Sequence, residues 1–292
     1  MSVEFCGLQL SHPVINGSGT FDAIAARRAF GQALEREFPF AAFVSKTITL
    51  SPRAGNPAPR LWEAPAGLIN SIGLPNRGLH GYLAEDLPAL TRWLQVPLIA
   101  NVMGSTAVEI AQLLQACDAR EEIAAIELNV SCPNVRTGLD IGADPAQLEA
   151  VVQAVRPSTG KPLIVKLTPN TADVSACARA AQEGGADAVS LINTLRAMAH
   201  APRTALDPSR RWLGGGMGGL SGPAIRNVAL AQVAAAAARV EIPVIGMGGV
   251  QNGTHAQDLL DAGATLVAVG TESFRDPLAG AKIARELRPS VA

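Results

Sequence analysis

Three stretches decide the fold: AAIELNV at residues 124–130, PLIVKL at 162–167 and AVSLIN at 188–193. Each is a short run of β-branched and apolar residues, and a segment of helical length separates it from the next. Parallel strands that are buried on both faces need not alternate polar with apolar residues. The pattern therefore predicts parallel strands covered by helices.

The same alternation continues outward along the whole chain. Further apolar runs lie at 13–16, 42–46, 97–102, 243–247 and 266–269, and helices are predicted at 78–93, 106–119, 145–156, 172–183, 223–239, 254–262 and 277–287. Asp144-Pro145 and Asp276-Pro277 each offer an N-cap followed by proline in the first turn. Eight β/α units without a break in composition predict an α/β protein, a single (β/α)8 TIM barrel over residues 1–292. A doubly wound open sheet is the alternative.

Composition excludes several classes of protein. Of the 292 residues 48% are hydrophobic and 17% are charged, with a formal net charge of −1. Such a chain is neither disordered nor drawn to nucleic acid or an anionic membrane. The amino terminus does not resemble a signal peptide and no stretch is apolar enough to span a bilayer, so we expect a cytoplasmic protein that acts on small molecules.

The four cysteines are far apart in the sequence. Cys6, Cys117, Cys132 and Cys177 form no Cys-x-x-Cys pair, which argues against a disulfide framework, a metal site or an iron-sulfur cluster. Cys6, Cys117 and Cys177 are interpreted as buried apolar residues. Cys132 follows the fourth strand directly and precedes a glycine-containing loop, 135–143, that could act as a lid. With no histidine nearby in sequence, it is a better candidate for a base than for an acyl-transfer nucleophile.

Barrel enzymes place their chemistry just past the carboxyl ends of the strands. Gly248-Gly249 and Gly270-Thr271 follow the seventh and eighth strands, where backbone N–H groups often bind phosphate. Each of these pairs can be interpreted as a tight turn or as a phosphate-binding site, and so can the glycine cluster at 214–219. No nicotinamide-binding Gly-x-Gly-x-x-Gly follows a strand.

Two lysines end apolar strands. Lys46 and Lys166 should therefore emerge at the barrel mouth, where a buried ammonium needs an anionic partner. A reduced flavin develops negative charge near its N1 and O2 atoms, and a pyrimidine carboxylate is an anion. Both are suitable partners for such an ammonium. A Schiff-base lysine and a rim lysine with a solvated head group are the alternatives.

Together these motifs resemble the class 1 dihydroorotate dehydrogenases from about Gly17 to Thr271. The similarity rests on seven stretches in the family's order: NSIGLPN at 70–76, ANV at 100–102, ELNVSCPNV at 127–135, VKL at 165–167, LINT at 191–194, GGLSGP at 218–223 and IGMGG at 245–249. The second, membrane-associated class has serine in place of Cys132 and an N-terminal extension.

The resemblance implies FMN as cofactor and assigns residues to it and to the substrate. The residues it assigns to FMN are Ser18, Lys46, Thr47, Asn101, Asn129, Lys166, Ile192, Gly222, Gly248, Gly249, Gly270 and Thr271. Those it assigns to the pyrimidine are Lys46, Asn70, Ser71, Ile72, Gly73, Leu74, Asn129, Asn193 and Thr194. Asparagine amides both donate and accept, which suits a ring of alternating carbonyl and N–H groups.

The implied reaction is the oxidation of (S)-dihydroorotate to orotate in pyrimidine (UMP) biosynthesis. Cys132 would remove the C5 proton as general base while a hydride passes from C6 to flavin N5. Three alternatives stay open: a flavin dehydrogenase of the dihydropyrimidine type, a flavin-free barrel aldolase with Lys166 as Schiff base, and a flavin-binding electron-transfer or scaffold subunit.

Most motifs are similar to the NAD-linked subgroup, class 1B, in which electrons pass to a separate FAD and iron-sulfur subunit. Pro75-Asn76 instead resembles the subgroup that reduces fumarate. Arg77, Arg196-Ala197 and the segment 203–217 depart from both patterns. We expect this chain to pass its electrons to such an FAD and iron-sulfur subunit. We also expect two copies of the chain to form a homodimer at the core of the complex.

Overall fold

The computed structural model describes residues 2–130, 141–200 and 211–287. Eight parallel strands form its central sheet, with labels that follow chain order: β3 (Val14–Asn16), β4 (Phe43–Val44), β7 (Leu98–Val102), β8 (Ile123–Asn129), β9 (Leu163–Lys166), β10 (Ala188–Leu191), β13 (Val244–Met247) and β14 (Leu266–Val269). They are hydrogen-bonded in the order β3-β14-β13-β10-β9-β8-β7-β4. All eight predicted strands are confirmed.

Helices lie between successive strands of this sheet and cover its outer face. Within the described residues they are α1 (Ala23–Phe30), α2 (Gln32–Arg36), α3 (Gly78–Gly81), α4 (Leu87–Thr91), α5 (Ala107–Asp118), α6 (Pro145–Val155), α7 (Val174–Glu183), α8 (Arg226–Ala237), α9 (Gly253–Asp261), α10 (Glu272–Arg275) and α11 (Ala279–Glu286). The predicted (β/α)8 TIM barrel is thereby confirmed, and the open doubly wound sheet is wrong.

The barrel has two apolar layers. The inner layer, which includes Ile15, Ile99, Ile164 and Ile245, fills the barrel itself. A hairpin of β1 (Val3–Phe5) and β2 (Leu8–Leu10) packs its side chains against this inner layer. The larger outer layer lies between the sheet and the helices. Because helices cover the outside and the hairpin packs on the inner layer, polar groups on the inward face concentrate toward the carboxyl ends of the strands.

A second sheet of four antiparallel strands is inserted in the loops after β4 and β10. It consists of β5 (Leu61–Ala64), β6 (Gly67–Asn70), β11 (Leu195–Ala197) and β12 (Gly218–Ser221), in the order β11-β12-β6-β5. Trp62 and Trp212 pack edge to face beside it, with ring centroids 5.4 Å apart. The sequence did not predict this sheet, and residues 218–221 of the glycine-rich region are a strand in it.

Several predicted helices differ from the structure at their ends: α7 begins two residues later than predicted, and the helix predicted at 223–239 becomes α8 only after a 3-10 turn, Pro223–Ile225. The helix expected at 78–93 is interrupted by a π-helical turn, Tyr82–Asp86, between α3 and α4. The helix expected to begin at Pro277 begins at Ala279 instead, because the Ala279 N–H donates to the Asp276 carbonyl at 3.0 Å and closes a separate turn ahead of the helix. The cap predicted at Asp144 is correct, since its carboxylate accepts from the Gln147 N–H.

The barrel closes at a seam between β3 and β4. Among the described residues one backbone hydrogen bond crosses it, from the Ala41 N–H to the Val14 carbonyl at 2.9 Å. The fully buried Asn16 side chain supplies the rest: its Oδ1 accepts from the Val44 N–H and its Nδ2 donates to the Val44 carbonyl, both at 2.8 Å. The Asn16 side-chain amide thus makes the two hydrogen bonds that the backbone of a neighbouring strand would otherwise make with Val44.

We predict that Asn16→Ala lowers the free energy of unfolding by about 2–4 kcal/mol, because it leaves a buried N–H and a buried C=O without partners. Urea denaturation measures the change. The control is Asn227→Ala on the exposed face of α8, which should stay within about 0.5 kcal/mol of the parent protein. Equal stability of the two variants would contradict the role given to Asn16.

Candidate active site

A cavity of about 320 Å³ opens at the carboxyl ends of the barrel strands, within the range of about 300–1,000 Å³ that small-molecule sites occupy. Its walls bring together residues from the ends of widely separated strands. The predicted residues that line it are Ser18, Lys46, Thr47, Asn70, Ile72, Gly73, Leu74, Asn129, Lys166, Ile192, Asn193, Thr194, Gly222, Gly248, Gly249, Gly270 and Thr271.

Two predicted residues do not line the cavity. Ser71 is fully buried, and its hydroxyl donates to the Met217 carbonyl at 2.8 Å and accepts from the Asn56 amide at 3.1 Å. Asn101 is also fully buried and bonds to the carboxylate of Glu127. Ser71 therefore supports the loop that carries its lining neighbours, and Asn101 belongs to the layer behind the wall.

One end of the cavity is lined by glycine backbone. Gly248 has φ +137° and Gly249 has φ +69°, conformations that side chains with a Cβ rarely adopt. A Cβ on Gly249 would also lie 2.7 Å from the Cβ of Arg226, so there is no room for one. Thr271, after the last strand, donates to the Ser221 hydroxyl at 2.8 Å. This end offers backbone N–H groups and hydroxyls to an anion such as phosphate.

Two lysines from different strands face the same cavity. Lys166, at the end of β9, is only 5% exposed, and none of the described residues forms an ion pair or hydrogen bond with its ammonium. A buried ammonium without an anionic partner is costly, so the position calls for a negatively charged ligand. Lys46 is held close to Gly19, where a Cβ would come within 2.9 Å of its Nζ.

Amides and hydroxyls surround the lysines. The Asn129 amide donates to the Thr47 hydroxyl at 3.4 Å, and the Asn70 amide donates to the Gly219 carbonyl at 3.2 Å. The Asn193 Oδ1 accepts from the Thr194 N–H at 2.8 Å. These bonds orient the three amides, each of which is a group that can both donate and accept.

The cysteines that the structure describes differ in burial, and burial raises the pKa of each. Cys132, predicted as the base, lies outside the described residues, as does most of the predicted lid loop. Cys117 and Cys177 are buried as expected, and burial raises the pKa of both thiols, that of Cys117 to about 12. Cys6 was expected to be buried but is only partly so, because it sits in the hairpin turn; burial, with the Asp187 carboxylate second, raises its pKa to about 11. None of these three thiols is poised to act as a base at neutral pH.

Some lining residues were missed at the level of sequence. Leu61 and Leu68 come from the inserted sheet, and Glu272 and Phe274 follow the last strand. The sequence pointed only to Glu272 and Phe274, because these two residues come just after a predicted strand end. Leu61 and Leu68 carried no such signal, because the sheet that places them at the cavity was itself not predicted.

The unusual arginines lie apart from the cavity lining. Arg77 is exposed at the start of α3 and pairs with Glu85 and Asp86 at 2.5 and 3.4 Å. Arg196 is exposed on β11, where its N–H donates to the Asn170 Oδ1 at 2.8 Å. Of the segment 203–217, residues 203–210 lie outside the described residues. The departures that are described therefore do not alter the cavity wall.

The fold and the cavity define a class: a barrel enzyme whose mouth receives an anionic, phosphate-bearing ligand at strand ends. Comparison with known sequences is more specific, since the family model described as Dihydroorotate dehydrogenase matches residues 1–291. The chain belongs to the dihydroorotate dehydrogenase family.

Similar proteins cover almost the whole chain. A protein of Geobacter sp. (strain M21) is 43% identical over 293 residues, spanning 100% of this chain and 93% of its own length. One of Citrifermentans bemidjiense is 44% identical over 288 residues (98% and 92%), and one of Trichlorobacter lovleyi is 45% identical over 293 residues (100% and 93%). All three are named dihydroorotate dehydrogenase B (NAD(+)), catalytic subunit.

Family membership confirms the resemblance drawn from the seven motifs and the prediction of an oxidoreductase. The expected FMN cofactor agrees with it, and the flavin-free aldolase alternative does not. In the described part of the chain, no helix is both long enough and apolar enough to cross a membrane.

We predict that Lys166→Met weakens FMN binding at least tenfold, because it removes the buried positive charge that awaits an anion. The flavin-free protein should not lose stability, since methionine keeps the volume without an unpaired ammonium. Flavin fluorescence and urea denaturation of the apoprotein measure the two effects.

Lys161→Met is the matched control. Lys161 donates to the Ile123 carbonyl at 2.7 Å near the amino ends of the strands, so its loss should lower stability by about 1 kcal/mol and leave FMN affinity unchanged. If Lys166→Met kept the parent affinity for FMN, Lys166 would not be a cofactor residue.

Proposed function

We propose that this chain is the catalytic subunit of an NAD-linked dihydroorotate dehydrogenase, which oxidises (S)-dihydroorotate to orotate in pyrimidine (UMP) biosynthesis. The observation that carries the proposal is that residues of six separate motifs meet in one cavity. The names of the relatives, at 43–45% identity over nearly full length, support the same activity.

The residues present fit FMN at both ends of the cavity. The glycine backbone at Gly248-Gly249 and Gly270-Thr271 would hold the phosphate. Lys166, a buried ammonium without an anionic partner in the described chain, would face the electron-rich edge of the ring. Asn101 has a buried Oδ1 that accepts no hydrogen bond from the described residues, as expected of an atom reserved for a ligand. When bound, FMN supplies the acceptor for the hydride that leaves C6 of the substrate.

The pyrimidine would lie where the amides converge. Asn70, Asn129 and Asn193 can each donate and accept, which matches a ring of alternating carbonyl and N–H groups. Lys46 would pair with the substrate carboxylate, and this pair would distinguish dihydroorotate from dihydropyrimidines that lack the carboxylate. Substrate and cofactor would therefore share one cavity, as direct hydride transfer demands.

Cys132 is proposed as the general base that removes the C5 proton. In the sequence it comes three residues after Asn129, the last residue of β8, and Asn129 lines the cavity. The structure describes all four histidines, and none of them lines the cavity. The other cysteines are excluded by burial and by pKa values raised above the ordinary one.

Electrons must leave the chain after each turnover. It has neither a nicotinamide-binding fingerprint nor a cysteine cluster for iron and sulfur. We propose a separate FAD and iron-sulfur subunit that passes electrons to NAD. The catalytic chain itself would be one FMN-binding domain over residues 1–292, forming a homodimer core in the cytoplasm.

We predict that the purified protein carries about one FMN per chain and that dihydroorotate bleaches it under anaerobic conditions. Cys132→Ala should keep the flavin but slow this reduction by about 10²–10⁴-fold, the usual contribution of a general base. Stopped-flow absorbance measures the rate.

Cys177→Ala is the control. Its buried thiol lies in α7, so the variant should lose stability at most and keep the parent rate. A Cys132→Ala protein that is reduced as fast as the parent would refute the base assignment. A flavin-free or FAD-containing preparation would refute the proposed function.

We further predict that the isolated chain, once reduced, transfers electrons to artificial dyes but to neither NAD nor fumarate. Co-expression with the FAD and iron-sulfur subunit should add NAD reduction. Steady-state assays with each acceptor decide the matter: efficient fumarate turnover by the chain alone would replace the partner model with a self-sufficient enzyme.

A further inference from the structure

Glu127 is a buried carboxylate to which the reaction above gives no role. It lies on the inward face of β8 and is 2% exposed. Its Oε2 accepts from the Asn101 Nδ2 at 2.5 Å, and its Oε1 accepts from the Ser190 hydroxyl at 2.6 Å. One carboxylate therefore ties β7 to β10 across the barrel interior.

This contact fixes the orientation of the Asn101 amide. An ionised carboxylate can only accept, so the amide must turn its Nδ2 toward Glu127. The opposite atom, Oδ1, is then set in a defined direction. It is buried and accepts no hydrogen bond from the part of the chain that the structure describes.

Asn101 lies next to the cavity wall on two sides. Its N–H donates to the Ser45 hydroxyl at 3.0 Å, and the residue after Ser45 is the lining Lys46. Its register partner across the ladder is Glu127, and two residues further along that strand is the lining Asn129. Asn101 thus adjoins the cavity wall, beside the chain segments that carry Lys46 and Asn129.

We propose that Glu127 is a positioning residue for the flavin: it orients Asn101 so that Oδ1 accepts a hydrogen bond from the ring. The oxidised flavin ring has one N–H donor, at N3, and this is the group that the oxygen would meet. The inference rests on the proposed FMN function and adds to it a residue that touches neither cofactor nor substrate.

The test removes the acceptor at position 127 and then restores it. Glu127→Met leaves the Asn101 Nδ2 without its acceptor, so the amide can turn either atom toward the ring and the FMN dissociation constant should rise at least tenfold. Glu127→Gln keeps an oxygen of the same reach for Nδ2 while its own amide can donate to the Ser190 hydroxyl. E127Q should therefore bind FMN to within about threefold of the parent protein, measured from the fluorescence of flavin released on dilution.

A second measurement uses the unaltered protein, so it does not depend on whether E127M folds. Replacing FMN with 3-methyl-FMN removes the ring N–H, and the parent protein should bind the analogue at least tenfold more weakly. Thr159→Val is the control for general destabilisation: Thr159 is buried near the amino end of β9, where its hydroxyl donates to Asp118 at 2.7 Å. T159V should leave FMN affinity unchanged.

The inference is overturned if E127Q binds FMN no better than E127M, if 3-methyl-FMN binds the parent protein as tightly as FMN, or if T159V weakens binding as much as E127M. Failure of the proposed function is a different result. It would show in the parent protein as no bound FMN, or as FMN that dihydroorotate does not reduce.

Discussion

Closure of the parallel sheet between its first and second strands is the constraint on which the rest of the structure depends. Asn16 bridges this seam by bonding both backbone groups of Val44 with one side chain. Immediately beyond it, the Ser18 hydroxyl donates to the Ser45 carbonyl at 2.7 Å, so the same seam positions two residues that border the cavity or its wall. Because the sheet closes, the carboxyl ends of all eight strands meet at one rim, and residues from opposite ends of the chain form one site.

The charges inside this rim explain why the site is built for a ligand. Lys166 is buried without an anionic partner in the described chain, and the Oδ1 of Asn101 is buried without a donor. Each is a local cost to the folded protein, and each is relieved by an anionic, N–H-bearing ring. Glu127 lies in the same polar layer and accepts from the Asn101 amide and the Ser190 hydroxyl. Because both donors are engaged in these bonds, neither side chain turns to another partner. These unpaired buried groups lower the stability of the ligand-free protein, and the same groups form a preorganised site for the ligand.

The sequence predicted the barrel and the cavity lining because both depend on local patterns. Apolar runs mark the strands, and a side chain such as Lys166 or Asn129 is placed at the rim simply by ending one. The seam, the inserted sheet and the Glu127 contacts could not be predicted in this way, because they join residues that are distant in the sequence: 28 positions for Asn16 and Val44, and 63 for Glu127 and Ser190. The predicted start of α11 was wrong for a local reason, since the backbone of Asp276 closes a separate turn with Ala279 before the helix begins.

The central claim is that one rim of strand ends holds FMN and the pyrimidine together. A crystal structure of the purified protein with orotate tests it most directly. The account predicts FMN with its phosphate on Gly248-Gly249 and Gly270-Thr271, its ring beside Lys166, and orotate stacked against that ring among Asn70, Asn129 and Asn193. Orotate bound at another place, or a flavin whose phosphate lies away from these glycines, would contradict it.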